Sequence, residues 1–221
     1  PSGLLNIKRV EELCKIMSDL KNAGNEIILV SSGAIAMGVG KLSLHEKPHD
    51  IPTRQAAAAV GQCELMYTYD KLFAEYNHTV AQILITGDDV EHENRRHNFE
   101  NTILRLLQLG VLPIINENDT ISTDEIVIGD NDTLGAIVAK AVSADLFILL
   151  SDIDGLFTAD PHKDENARLI DVVEEITPEI EKMTGGAGSK LGTGGMTTKL
   201  KAAATANAAG IDMVIANGKN P

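Results

Sequence analysis

Apolar residues fall at helical spacing through residues 7–23, where Ile7, Val10, Leu13, Cys14, Met17 and Leu20 form one stripe and Gly24 follows as a stop. A short unbroken apolar run comes next, EIILVS at 26–31, and the same alternation then repeats down the chain. A long helical pattern around 54–76 leads to TVAQILIT, a helix over 89–109 ends at Gly110 before VLPIIN, a helix over 132–143 precedes LFILLS, and a helix over 196–209 ends at Gly210 before DMVIAN. Continuous apolar strands separated by helices predict an α/β fold with a mainly parallel sheet, covered on both faces and joined by right-handed crossovers. ISTDEIVIG at 121–129 breaks the alternation and reads as an extra short strand or hairpin. No fixed-period repeat and no low-complexity linker interrupts the pattern.

The residues that follow each strand carry more information than the strands themselves. They read SSGA, TGDD, NENDT, SDIDG and NGKN in chain order, all small, polar or acidic. In an open parallel sheet the carboxyl ends of the strands are where loops and helix N-termini converge and where ligands bind. Each tail alone is an ordinary set of caps and turn formers. Five such tails on five strands point to a site.

Composition narrows the class of ligand. With 221 residues, 43% of them hydrophobic, the chain reads as one large α/β domain rather than two small ones. Its 19 Lys and Arg against 32 Asp and Glu give a net charge of −13, which repels nucleic acid and anionic membrane alike. An anionic ligand must therefore be held by local cations, helix ends or a metal ion. Cys14 and Cys63 both lie within apolar helical patterns, so neither a disulfide framework nor a cysteine-based metal site is suggested, and a reducing cytoplasm fits. No apolar run reaches membrane-spanning length and PSGLLNIKRV lacks a signal-peptide layout; without an initiator methionine at Pro1, an earlier segment is expected.

GTGGMTTK at 192–199 stands directly before the Ala-rich helix LKAAATANAAG. Glycines let backbone approach a ligand, the helix mouth offers unpaired N–H groups, and Thr197, Thr198 and Lys199 add hydroxyls and a mobile cation, so phosphate is one natural candidate. A flexible loop with a threonine cap is the other. The string is not a Walker A loop, because Thr197 stands where that motif needs glycine. GDNDTLGA at 129–136 places Asp130, Asn131 and Asp132 at a helix start, where one acid suffices as a cap; the carboxylates can hold a metal, orient a lysine or receive an ammonium, and NENDT adds Glu117 and Asp119. SDIDGLFTADP at 151–161 reads as a strand end entering a polar loop. GVGKLS at 38–43 lacks the context and third glycine of a dinucleotide fingerprint, and HENRRH at 92–97 has the wrong spacing for a zinc protease and reads as a solvated helix face. An anion loop together with acidic tails matches phosphoryl transfer, which depends on positioning and charge neutralisation.

VSSGAIAMG, QAAAAVGQ, PIINENDT, IGDND, LSDIDGLFTADP and GTGGMTTKLKAA, in this order over nearly the whole chain, resemble the glutamate 5-kinases of the amino-acid kinase superfamily. The resemblance implies an open three-layer α/β/α sandwich with a mainly parallel sheet, and ATP- and Mg2+-dependent phosphorylation of the L-glutamate side chain in proline synthesis. By motif matching it implies Lys199 and Asp132 as catalytic, Ser32, Asp119 and Asn131 as glutamate-binding, and Ser151, Asp152, Thr193, Gly194, Gly195, Met196, Thr197, Thr198 and Lys199 as ATP-binding. It also implies a cytoplasmic homo-oligomer, dimer or tetramer, functionally coupled to glutamyl-phosphate reductase. Members begin with a strand of the VVKVGTS type whose lysine touches the phosphates; that strand is expected ahead of Pro1, beside EIILVS, and the domain's last strands after Pro221. Nothing in 1–221 corresponds to the PUA domain that many bacterial members carry. The alternatives are another amino-acid kinase, of the acetylglutamate kinase or aspartokinase type, and a non-catalytic nucleotide- or amino-acid-binding regulatory module.

Overall fold

The structure, a computed structural model, describes residues 6–46, 48–121, 130–159, 164–183 and 195–219. The chain gathers into two compact units, residues 1–128 and 129–221. The expected extra strand or hairpin at 121–129 falls outside the described residues, apart from Ile121, as do Thr193 and Gly194.

The first unit begins with helix α1 (Ile7–Asn22), capped by Asn6, whose side chain accepts from the Arg9 N–H. Strand β1 (Leu29–Val30) is followed by helix α2 (Ala34–Lys41) and the long helix α3 (Ile51–Ala74), which starts on an Asp50 cap. Then come β2 (Val80–Ile85), the short α4 (Gly87–Glu91), α5 (Glu93–Gln108) and β3 (Leu112–Glu117). The sheet order is β1-β3-β2, all parallel, with Leu29 opposite Ile114 and Gln82 opposite Ile114 on the other side. β3 is the central strand and its residues from Leu112 to Asn116 are all buried. Leu112 and Ile114 join Cys14, Met17, Leu65, Tyr69 and Phe73 in the core beneath α1 and α3. Pro113 and Ile115 alternate to the opposite face, where α5 packs on β3 and buries Phe99 and Ile103. Burial pushes the Cys14 thiol up to about 12, so it stays protonated as a core residue.

Two differences from the sequence expectation have local causes. EIILVS forms a ladder only at Leu29–Val30, because β1 meets β3 along one edge and has no strand on its other edge among the described residues. The helix expected over 89–109 is two helices: Thr86 and Asp89 form a capping box that starts α4 early, and His92, at ψ 115°, ends it and opens α5. The HENRRH stretch is exposed, as a solvated face requires.

α2 and α3 cross at backbone contact. A Cβ on Gly61 would stand 1.7 Å from the carbonyl oxygen of Ala34, and one on Gly38 would stand 1.8 Å from that of Ala57. Neither obstacle is a flexible side chain, so Gly61→Ala must push the helices apart. The expected result is a loss of about 2–4 kcal/mol, read as a lower urea midpoint at similar m-value. An unchanged midpoint would mean that the crossing is not this close.

In the second unit, helix α6 (Asn131–Val142), strand β4 (Leu146–Ser151), the antiparallel pair β5 (Leu156–Phe157) and β6 (Leu169–Ile170), helices α7 (Pro178–Met183) and α8 (Met196–Ala208), and strand β7 (Asp212–Asn217) follow in order. The loop expected from SDIDGLFTADP thus contains a short strand. β4 and β7 pair in parallel, and α6 packs on α8 through Ala139 and Ala206, over Phe147, Ile211 and Met213. The expected cover on both faces holds for β3 but not for β4, whose Leu146, Ile148 and Leu150 remain exposed. No helix among the described residues is long and apolar enough to cross a membrane.

Candidate functional site

The best-defined polar constellation lies in the second unit, where α6 and α8 begin. Asp130 caps α6: its Oδ1 accepts from the Thr133 N–H at 2.7 Å. With the cap supplied, Asp132 is released for another task. Its Oδ2 accepts from Lys199 Nζ at 3.0 Å and lies 2.8 Å from Thr198 Oγ1, across 67 and 66 residues of sequence respectively. The Thr198 hydroxyl also lies 2.7 Å from the Gly195 carbonyl oxygen, and its single proton can serve one of these acceptors at a time. The pair is mostly buried, with the Lys199 side chain 10% and the Asp132 side chain 16% exposed. A buried ion pair costs desolvation and holds only with good geometry.

Gly195 precedes α8 as a cap residue without a side chain, so no side chain competes for the first N–H groups of the helix. Thr197 and Met196 are half-buried in that first turn. Ser151 ends β4, with its hydroxyl directed to Asp152 at 3.3 Å, and its carbonyl accepts from Gly218 N–H at 2.7 Å. Asn217, at the end of β7, donates to Asp154 at 2.7 Å. Asn131 is the exposed first residue of α6. The strand tails SDIDG and NGKN therefore meet, which the alternation pattern anticipated, while the Asp154–Asn217 link had no sequence signal.

In the first unit the tails SSGA and NENDT follow the neighbouring strands β1 and β3. Gly33, at φ 93°, makes the left-handed turn from the strand tail into α2, leaving Ser32 exposed. Ser31 turns inward: its N–H bonds the Ile115 carbonyl at 2.8 Å and its hydroxyl shares a 3.0 Å hydrogen bond with Tyr69. Asp119 is half-buried on the loop after β3; burial pushes its carboxyl pKa up, and the positive charge of Arg54 partly opposes that shift. A carboxylate short of water is suited to receive a cation. Asn116 is buried, donating to Gln62 at 2.9 Å and accepting from the Glu117 N–H at 2.9 Å. Sequence reading missed Arg54, Gln62, Tyr69 and Asn116. The available signal was a pair of polar residues, Gln62 and Tyr69, seven apart on the apolar stripe of one helix.

Residues 3–217 match the amino acid kinase family. The chain is 54% identical to a glutamate 5-kinase of Clostridium perfringens, covering 100% of this chain and 83% of that one. It is 56% identical to a glutamate 5-kinase of Clostridium acetobutylicum, covering 99% and 82%. A carbamate kinase from Giardia lamblia solved with AMP-PNP superposes with a TM-score of 0.67 at 14% identity, over 97% of this chain and 86% of that one, which shows the α/β fold to be shared. The chain therefore belongs to the amino acid kinase family and, within it, to the glutamate 5-kinases.

Proposed function

We propose that this chain transfers the γ-phosphoryl group of ATP to the side-chain carboxylate of L-glutamate, giving glutamyl 5-phosphate, the first step of proline synthesis. The observation that carries the reading is identity above one half, over essentially the whole chain, with glutamate 5-kinases. The ion pair at the head of α8 supplies chemistry that such a transfer needs. A glutamate carboxylate is already anionic and requires no general base. What opposes its attack is the charge on the phosphates, so positioning and neutralisation dominate.

In this reading Lys199 meets the charge on the moving phosphoryl group. Asp132 holds the lysine ammonium at 3.0 Å, and Thr198 adds a second donor that keeps the carboxylate in place. The first turn of α8, with Gly195, Met196, Thr197 and Thr198, receives the phosphates together with Thr193 and Gly194; Ser151 and Asp152 serve the nucleotide. Ser32, Asp119 and Asn131 bind glutamate, with Asp119 opposite the α-ammonium. That assignment favours a free amino acid over an acetylated one, which has no ammonium to offer. Among the described residues no group of three or more His, Cys, Asp or Glu is placed to hold a metal ion. A Mg2+ ion held with the phosphates of ATP would neutralise their charge. Residues 1–221 belong to one kinase domain of a cytoplasmic homo-oligomer, a dimer or tetramer. The product is a hydrolysis-prone acyl phosphate, which fits close coupling to glutamyl-phosphate reductase.

A coupled ADP-release assay on the full-length protein tests the reading with three acceptors. Turnover is expected with glutamate and not with N-acetylglutamate or aspartate. Equal or faster turnover with either of the latter would move the chain to another acceptor, and no turnover with any would leave a binding module.

A further inference from the structure

α3 touches both substrate-side strand tails of the first unit, and it does so with polar groups in an otherwise apolar interface. Its buried residues are Ala57, Ala58, Gly61, Gln62, Leu65, Tyr69 and Phe73. Gln62 and Tyr69, two helical turns apart, each hydrogen-bond to a polar side chain at the end of a different strand: Gln62 to Asn116, Tyr69 to Ser31. Buried polar side chains cost free energy unless paired, and a leucine at either position would be cheaper for the core alone. The orientation of each amide is determined by its partners. The Glu117 N–H donates to Asn116 Oδ1, so the other end of that amide is the donor and Gln62 must present its carbonyl oxygen.

These bonds reach the glutamate residues through short, constrained backbone. Ser31 is the neighbour of Ser32. Asn116 stands three residues before Asp119, on a turn held by the Asn118 N–H to the Ile85 carbonyl at 2.7 Å and by the Ile121 N–H to the Asn118 carbonyl at 3.2 Å. The Thr120 hydroxyl closes onto the Asn118 side chain within the same turn. Gly61, beside Gln62, lies against the Ala34 carbonyl in the first turn of α2, so one stretch of α3 abuts both tails.

We infer that Gln62 and Tyr69 of α3 are positioning residues for the acceptor amino acid, setting the relative placement of the SSGA and NENDT tails through Asn116 and Ser31. The inference rests on the proposed glutamate kinase activity. It makes α3 part of how glutamate is recognised, although neither side chain is assigned to touch it.

The test uses the full-length protein and steady-state kinetics with both substrates, alongside thermal melting. Gln62→Met keeps volume and removes the acceptor; Tyr69→Phe removes only a hydroxyl. Each is expected to raise KM for glutamate about tenfold, while kcat and KM for ATP stay within about threefold. Gln62→Glu keeps a carbonyl acceptor toward Asn116 in either protonation state and should return KM for glutamate to within about threefold of the original. If Gln62→Met does not fold, the Tyr69→Phe result decides. Unchanged KM for glutamate in folded variants, or a parallel loss in kcat and both KM values with a lowered melting temperature, overturns the inference and leaves the kinase reading intact. A wild-type protein that does not phosphorylate glutamate overturns both.

Discussion

Lys199→Ala is expected to lower kcat by on the order of a hundredfold or more while leaving glutamate KM nearly unchanged, because a cation that meets developing charge acts mainly in the transition state. The ion pair supplies the control. With the two side chains only 10% and 16% exposed, removing one partner leaves the other short of both water and counter-charge. Asp132→Asn should therefore cost about 2–3 kcal/mol of stability as well as activity. The double variant Asp132→Asn, Lys199→Met should regain most of that stability in urea unfolding and remain inactive. Catalytic loss is thereby separated from loss of fold. A kcat for Lys199→Ala within a few-fold of the original would show that the head of α8 has no part in phosphoryl transfer.

Asp119→Ala should instead act on substrate capture. The ammonium it faces in the proposed site carries the same charge before and during transfer, so KM for glutamate should rise at least about thirtyfold, equivalent to about 2 kcal/mol, with a smaller fall in kcat. The pH dependence has a definite sign. Burial raises the folded-state pKa of this carboxyl group, outweighing Arg54. Its ionised form is therefore disfavoured in the fold: stability is highest, as far as this group matters, below the ordinary aspartate range, and is lost as pH rises through the raised folded value. Asp119→Asn should accordingly melt higher than wild type at pH 8, with the difference fading under acid conditions, and still bind glutamate poorly. In the wild type, KM for glutamate should begin to rise on acidification at a higher pH than an ordinary aspartate would give. Normal glutamate KM with raised ATP KM in Asp119→Ala would place the residue with the nucleotide.

A single helix, α3, shows where sequence reading stops. Its helical pattern was legible and QAAAAVGQ carried part of the family resemblance, but neither said what Gly61 and Gln62 do. Their reasons lie far away in the chain, at Ala34 and at Asn116, and no local pattern reports a backbone contact or a buried amide pair across 54 residues. The break at His92 was closer to legible, since Thr86 and Asp89 have the spacing of a capping box. The hairpin of β5 and β6 was not, because two-residue strands leave no period to detect.

By itself the sequence determined the succession of strands and helices, the parallel α/β class, the polar tails at the strand ends and, through six motifs in order, the family. These are local properties: hydrophobic period, caps and turn residues act over a few positions. Which acid does what was settled only by tertiary structure. Asp130 and Asp132 are two residues apart and chemically identical, yet one is consumed by the α6 cap and the other meets Lys199, because a carboxylate's role depends on which donors the fold brings within 3 Å. Asp119 likewise became a perturbed carboxylate only through burial, a property of everything packed around it rather than of the residues beside it in the chain.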